Sequence, residues 1–352
     1  MSTSTTSAKG SILVTGANGG LGSAIAAGLA ESQAWGAGYH GLYGVRNAAT
    51  ATALHRSLSR AASLSHQHDV IDLDLSRLDS VRQAAADINR RVAEGSLPRL
   101  RALILNAAYM EGAEQCFTPD GFDMSWQVNY LAHFVLTLLL LQSMDKEHGR
   151  VIVIGSYGHN PLDKRNAGFS WYAGDEWKSL YHNTESLARG TWSSSKDYPT
   201  ADAGIRRYGA GKLCLIMMMH ELQSRLADDP ALSNICALAV DPGGMGSSLF
   251  RRSNFLLRVI APPLLPLAAT VMSLFAENPQ LRLTQRSAGD VLRAVFDTQV
   301  LGEYPRGVYL DGRASASTSE ESQDMEKRTS LWSDSVRLTN ISDSDTALAR
   351  WQ

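Results

Sequence analysis

Between residues 11 and 245, short apolar runs alternate with segments of helical period, and this constrains the fold more than any other feature. SILVTG (11–16), HGLYGVR (40–46), DVIDLDLS (69–76), LRALILNAA (100–108), GRVIVIGS (149–156) and NICALAVDPGGM (234–245) read as strands. LGSAIAAGLAES (21–32), SVRQAAADINRRVAEG (80–95), DMSWQVNYLAHFVLTLLLLQSM (123–144) and ADAGIRRYGAGKLCLIMMMHELQSRL (201–226) read as helices, the third mostly apolar and so buried. Near-continuous hydrophobic strands suit a parallel sheet covered on both faces. The expectation is an α/β fold: one doubly wound, Rossmann-like parallel sheet of six or seven strands.

The remaining segments attach to that sheet. Residues 1–10 are polar, without the apolar run of a signal peptide, and are expected to be flexible. The domain is expected to fill 11–312, with a polar and aromatic insertion at 157–200 that has no clear period. FLLRVIAPPLLPLAATVMSLFA (255–276) approaches the length of a membrane span, but Arg258, Pro262, Pro263 and Pro266 interrupt it. It reads as part of an apolar lid over 245–276, or as a patch touching a membrane surface. The extension 313–352 opens on ASASTSEESQ, read as a partly disordered, solvated linker. MEKRTSLWSDSVRL (325–338) reads as a short docked helix and the last residues as frayed.

Charge and cysteine usage exclude several functions. The net charge of −2 over 352 residues gives no basic excess for nucleic acid. Cys116, Cys214 and Cys236 are far apart and odd in number, which predicts reduced thiols and a cytoplasmic setting. No Cys-x-x-Cys or His-Glu-x-x-His spacing supports a metal site.

TGANGGLG (15–22) lies where the first strand meets the first helix. Glycines at 16, 20 and 22 allow a tight turn and a close approach by phosphate, and the helix N-terminus offers unpaired N–H groups. This predicts a dinucleotide site. The second strand ends in Arg46 rather than an acid, which suits a 2′-phosphate and favours NADPH over NADH. Asp74, after the third strand, reads either as an acceptor for the adenine amino group or as a helix cap.

Thr15-Gly-x-x-x-Gly-x-Gly22, Asn106-Ala-Ala, Asn129, Ser156 and Tyr208-x-x-x-Lys212 follow one another in the order of the short-chain dehydrogenases/reductases. Residues 11–250 resemble that family, and most closely its classical members with a long insertion before the catalytic tyrosine. These include retinol-dehydrogenase-like, carbonyl-reductase-like and sterol-ketoreductase-like enzymes and reductases of fungal secondary metabolism. The chain departs from the pattern at Ala108, where glycine is usual, at Ser247, where threonine is usual, and in the gap between Ser156 and Tyr208.

The resemblance implies that Ser156, Tyr208, Lys212 and Asn129 are catalytic. It implies that Thr15, Gly16, Asn18, Gly20, Leu21, Gly22, Arg46, Asp74, Asn106, Tyr208, Lys212, Pro242, Gly243 and Ser247 hold the cofactor. Tyr208 would exchange a proton with the substrate oxygen, Ser156 would hold that oxygen, and Asn129 would position a water linking Lys212 to solvent. A phenol of pKa about 10 is a poor base, so Lys212 and oxidised nicotinamide are expected to lower it by about three units, roughly 4 kcal/mol. His133 reads as a packed helix residue and His159 as a loop residue.

Trp171, Tyr172, Trp177 and Tyr181 on one side, and Leu249, Phe250, Phe255, Leu256 and Leu257 on the other, are expected to wall the substrate or to pack the insertion. An apolar wall suits a bulky lipophilic ketone or alcohol of polyketide, terpenoid or sterol type. The reading is an NADPH-dependent ketoreductase of secondary metabolism. An NAD-dependent retinol- or sterol-type dehydrogenase and a non-catalytic nucleotide sensor stand as alternatives. The family often dimerises through the helices at 123–144 and 201–226, and the sequence leaves monomer and homodimer open.

Overall fold

The computed structural model describes residues 8–31, 38–60, 66–245 and 278–352, together with 266, 268–272 and 276. Strands β1 (Gly10–Thr15), β2 (Tyr39–Val45), β3 (His68–Asp72), β4 (Leu100–Leu105), β5 (Arg150–Ile154), β6 (Cys236–Asp241), β7 (Tyr309–Asp311) and β8 (Ala314–Ala316) form one sheet. Their order is β3-β2-β1-β4-β5-β6-β7-β8. Every pairing is parallel except the last, where β8 returns antiparallel to β7. The sheet is thus doubly wound as expected. The six expected strands are all present; β7 and β8, with three residues each, are too short to leave an apolar run.

Alternation along each strand assigns its side chains to two cores. Ile12, Val14, Ile104, Ile152 and Val240 face α1 (Gly20–Glu31), α2 (Thr52–Arg60) and the helix Thr284–Phe296. Leu13, Leu103, Leu105, Val151 and Val153 face the other layer. That layer holds α3 (Leu78–Ala93), α4 (124–140), the short α5 (Thr184–Ala188) and α6 (Ala201–Ala227). We number the helix Thr284–Phe296 α7.

The apolar stretch at 123–144 is not one uniform helix. Asp123 caps its start by accepting from Trp126 N at 3.0 Å. α4 then runs Met124–Trp126, passes through a π turn at Gln127–Leu131, and resumes α geometry over Ala132–Leu140. By length and composition Met124–Ser143 is apolar enough to cross a membrane, yet 89% of its apolar window is buried inside the protein. The sheet on one side and the C-terminal segment on the other supply that burial.

The C-terminal extension carries the expected docked helix at 325–338, but not the expected solvated linker and frayed end. α8 (Glu320–Gln323) and α9 (Met325–Thr339) dock on α6 and α4. Trp332 meets Phe134 edge-on at 5.0 Å, and Tyr130 Oη lies 2.7 Å from Ser335 Oγ. Trp332 Nε1 donates to Trp351 O at 2.5 Å, and Leu348 and Trp351 are buried. The apolar backs of α4 and α6 need covering, and these side chains cover them.

The insertion at 157–200 carries four short 3-10 turns and α5. Tyr172, Trp177 and Tyr181 join the main core, so they pack the insertion down rather than wall a substrate. Trp171 is half-buried against the same core. Leu249, Phe250, Phe255, Leu256 and Leu257 lie outside the described residues, as do Ser247 and most of 255–276.

Candidate active site

The glycine turn sits at the crevice where the winding reverses, between β1 and β4. Thr15 Oγ1 accepts from Asn106 N at 2.9 Å and Ala107 N at 3.0 Å. Asn106 Nδ2 answers by donating to Thr15 O at 2.8 Å and Gly16 O at 3.3 Å. The ends of β1 and β4 are thereby stapled together. Gly16 holds φ +65°, and a Cβ there would lie 2.7 Å from Ala107 Cα. A Cβ on Gly22 would lie 2.4 Å from Gly16 O. Only glycine keeps this cradle open, and Gly20 and Leu21 open the first turn of α1 beside it.

Other expected cofactor residues have mixed placements. Arg46 is exposed just beyond β2, with no hydrogen bond or ion pair to the described residues, so its guanidinium is free for an anion. Asn18 Oδ1 accepts from Ala53 N and Leu54 N at 2.9 and 3.1 Å, so its carbonyl is committed to the start of α2. Asp74 Oδ1 accepts from Ser76 N and Oγ at 3.0 and 2.8 Å and shapes the turn before α3. Gly243 has φ +74° and donates to Asp241 Oδ1 at 2.9 Å, while Pro242 O accepts from Ser287 Oγ at 2.7 Å. The open cradle, the free helix terminus and Arg46 together fit a dinucleotide phosphate.

Ser156, Tyr208 and Lys212 come together beyond β5. Ser156 is extended (φ −168°, ψ 143°), and its Oγ accepts from Gly158 N at 3.1 Å beside Tyr208. A Cβ on Gly158 would touch both Ser156 Oγ, at 3.4 Å, and the Tyr208 ring, at 3.9 Å. Lys212 lies one turn after Tyr208 on α6, 1% exposed, with Nζ 5.8 Å from the Tyr208 ring centroid. Nζ donates to Ile154 O at 2.8 Å.

The glycines of YGAGK explain how this turn gets so close. A Cβ on Gly209 would fall 2.0 Å from Tyr172 Oη and 2.6 Å from Gly158 O. A Cβ on Gly211 would fall 3.1 Å from Asn129 Cβ. The turn is therefore pressed between the loop after β5 and the π turn of α4.

Asn129 is fully buried. Its Oδ1 accepts from Tyr109 N at 2.7 Å, and its Nδ2 donates to Tyr109 O at 2.8 Å and Ser125 Oγ at 3.1 Å. The side chain is spent on the segment after β4, leaving only its backbone carbonyl for a water. That carbonyl already lies 3.3 Å from His133 Nδ1, whose Nε2 is 3.0 Å from Thr15 Oγ1. His133 is thus packed, as expected, and burial pulls its pKa down to about 3, so the ring is neutral.

The electrostatics depart from the expected activated phenol. Burial pushes the Tyr208 phenol above the usual tyrosine range, outweighing the opposing bond to Ser156, and Asp241 and Tyr157 push it the same way. Burial pulls Lys212 down to about 8, with Asp241 opposing. The ammonium is aimed at Ile154 O rather than at the phenol, which is why it does not lower the tyrosine.

Two buried charge clusters had no signal in the sequence. Arg165, from the insertion, has Nη1 3.2 Å from both Asp241 Oδ2 and Asp311 Oδ2, and Nη2 2.8 Å from Asp163 Oδ2. Asp241 Oδ2 makes no directed hydrogen bond, so that contact is an ion pair alone. Arg207 meets Glu111 at 2.6 Å and Asp123 at 3.6 Å, joining the segment after β4 to α6 directly before Tyr208. The paired glycines at 209 and 211 were the legible hint of close packing here.

Comparison with known proteins agrees with this geometry. The sequence profile described as short chain dehydrogenase matches residues 11–174. A relative from Talaromyces variabilis, "Short-chain dehydrogenase iccH", is 46% identical over 98% of this chain and 99% of its own length. Protochlorophyllide reductase A of Arabidopsis thaliana is 30% identical over 95% of this chain and 77% of its own. The angucycline C-6 ketoreductase LanV, solved with bound NADP, superposes with a TM-score of 0.56 at 19% identity, covering 87% of this chain and 95% of its own. At that identity LanV shares the fold alone. The relative from Talaromyces, matched almost end to end, carries the conclusion: this chain belongs to the short-chain dehydrogenase/reductase family, oxidoreductases acting on CH–OH and carbonyl groups.

Proposed function

We propose that the chain is an NADPH-dependent ketoreductase that reduces a bulky lipophilic ketone in secondary metabolism. The observation that carries this is the meeting of Ser156, Tyr208 and the buried Lys212 beyond β5. Bound nicotinamide supplies the hydride. Tyr208 donates its proton to the carbonyl oxygen, and the Ser156 hydroxyl stabilises the charge developing there. Lys212, charged below about pH 8, is aimed at Ile154 O and contributes a buried positive charge to the site rather than a direct bond to the phenol.

Arg46 supports NADPH, because a free guanidinium matches a phosphate dianion and no acid stands at that strand end. The substrate class rests on two supports: the apolar composition of 249–276, and a 46%-identical relative described as a short-chain dehydrogenase. The angucycline ketoreductase LanV shows that this fold accommodates such ketones in another protein. Contact of 255–276 with a membrane surface rests on composition alone; flotation with liposomes, with and without that stretch, tests it.

The test is a fluorescence titration with NADPH and NADH on the wild type and Arg46→Ala. Turnover of a panel of lipophilic ketones, α-tetralone included, is then followed through NADPH oxidation. Selective NADPH binding that weakens in the variant, with turnover, supports the proposal. A preference for NADH would overturn the cofactor reading and favour alcohol oxidation. Absence of binding by either would overturn the enzyme reading of the site.

A further inference from the structure

His159 stands three residues past Ser156 with 2% of its surface exposed. Its Nδ1 lies 2.6 Å from Ser156 O, and its Nε2 lies 3.0 Å from the backbone N of Ser319. A backbone N–H only donates, so Nε2 accepts and carries no proton. In a neutral imidazole the proton then sits on Nδ1 and is donated to Ser156 O. Burial keeps the ring neutral, with its pKa pulled down to about 4. Both partners require this one tautomer, since Ser156 O only accepts and Ser319 N only donates, and the imidazole bridges the serine loop to the C-terminal segment.

That segment is itself tied down at several points. Ser319 caps α8 by accepting from Ser322 N at 3.2 Å. Thr318 Oγ1 lies 3.0 Å from His220 Nε2 on α6. Glu321 accepts from Ser179 Oγ at 2.5 Å, Leu180 N at 2.9 Å and Tyr181 N at 3.1 Å, all in the insertion. Residues 318–321 therefore join α6, the insertion and, through one imidazole, the serine loop. At that loop His159 grips the carbonyl of Ser156 while Gly158 N occupies its Oγ as donor. One lone pair is taken and the backbone is held, so the hydroxyl proton is left to face outward beside Tyr208.

We propose that His159 is a positioning residue that couples docking of the C-terminal segment to the orientation of the Ser156 hydroxyl. The proposal rests on the reductase reading for what Ser156 does. Ser319 has φ −60°, which proline also adopts, so Ser319→Pro removes the N–H with little strain. Ser319→Ala removes the capping hydroxyl but keeps the N–H, and is the control.

Two readouts decide the matter. In ¹⁵N-histidine NMR, with the signal assigned by its loss in His159→Gln, wild type and Ser319→Ala should show the Nδ1–H tautomer with Nε2 as a hydrogen-bonded acceptor, and in Ser319→Pro the Nε2 signal should move toward that of a free acceptor. With the best ketone of the panel, kcat of Ser319→Pro should fall about ten- to a hundredfold below Ser319→Ala. NADPH affinity and thermal midpoint should match the control. If Ser319→Pro unfolds, His159→Asn keeps a donor near Ser156 but loses the reach to Ser319, and should show the same drop in kcat. Equal kcat in Ser319→Pro and Ser319→Ala, or an Nε2–H tautomer in the wild type, would overturn the proposal. A wild type that turns over no ketone would overturn the reductase reading instead, and the Nε2 signal would still decide the link.

Discussion

Tyr208 and Lys212 set the chemistry at the scale of single residues. Replacing Tyr208 by Phe keeps the ring that packs on Gly158 and removes only the hydroxyl group. Turnover should drop by about 10²–10⁴-fold while NADPH still binds, read by kcat beside a fluorescence titration. An unchanged kcat would move the proton donor elsewhere. Lys212 titrates near 8 rather than 10.5 because it is buried. Its charged form is present below that pH and lost above it, so kcat/KM should fall as pH rises through about 8. The stability effect has the opposite sense. Between about pH 8 and 10.5 the unfolded chain holds the lysine proton and the native chain does not, so stability rises with pH across that window. Urea melts at both ends of the window should show this rise in the wild type and not in Lys212→Met. The four-residue spacing of the pair was legible, since it equals one helical turn. The direction of Nζ toward Ile154 O was not, because the lysine stem has four rotatable bonds and its partner comes from another strand.

Helix α6 shows how elements are forced together. Gly209 faces Tyr172 Oη and Gly158 O, whereas Gly289 on α7 has open space around its Cα. The same Gly→Ala change should therefore act with opposite sign. At 289 it should stabilise by up to about 1 kcal/mol through helix propensity. At 209 it should destabilise by about 1–3 kcal/mol through overpacking. Chemical melts of the two variants check the contrast. The Arg207–Glu111 pair is a second joint. Both side chains are buried, and burial pushes the carboxyls of Glu111 and Asp123 above their usual range. Arg207→Met should cost about 3–5 kcal/mol by leaving Glu111 unpaired, and adding Glu111→Gln should recover a large part of that. Additive losses in the double variant would contradict this account. The periodicity of α6 was readable along its length, but the π turn in α4 was not. The turn falls on QVNYL, where one extra residue shifts the helical phase without changing the composition, so the sequence carries no mark of it.

At the scale of the molecule, the C-terminal segment occupies the outer faces of α4 and α6. Arg225 donates to the carbonyls of Arg350 and Gln352 at 2.6 Å each and stacks 4.6 Å from the Trp332 ring. A partner subunit has no access to that ground while α9 stays docked. We therefore expect the whole chain to run as a monomer in size-exclusion light scattering, and Trp332→Ala to destabilise it by about 3–5 kcal/mol. A stable dimer through these helices would require the segment to leave. The sequence by itself determined the doubly wound sheet, the glycine cradle and the order of Ser156, Tyr208 and Lys212. Each of these is written in local spacing: alternation along a strand, glycines at a turn, four residues on a helix. Only the tertiary structure decided that the insertion's aromatics are core, that the residues on either side of the expected docked helix are packed down too, and that Ser319 reaches His159. Those outcomes depend on residues 160 positions apart meeting within a hydrogen bond, and on apolar surface competing for cover across the whole chain.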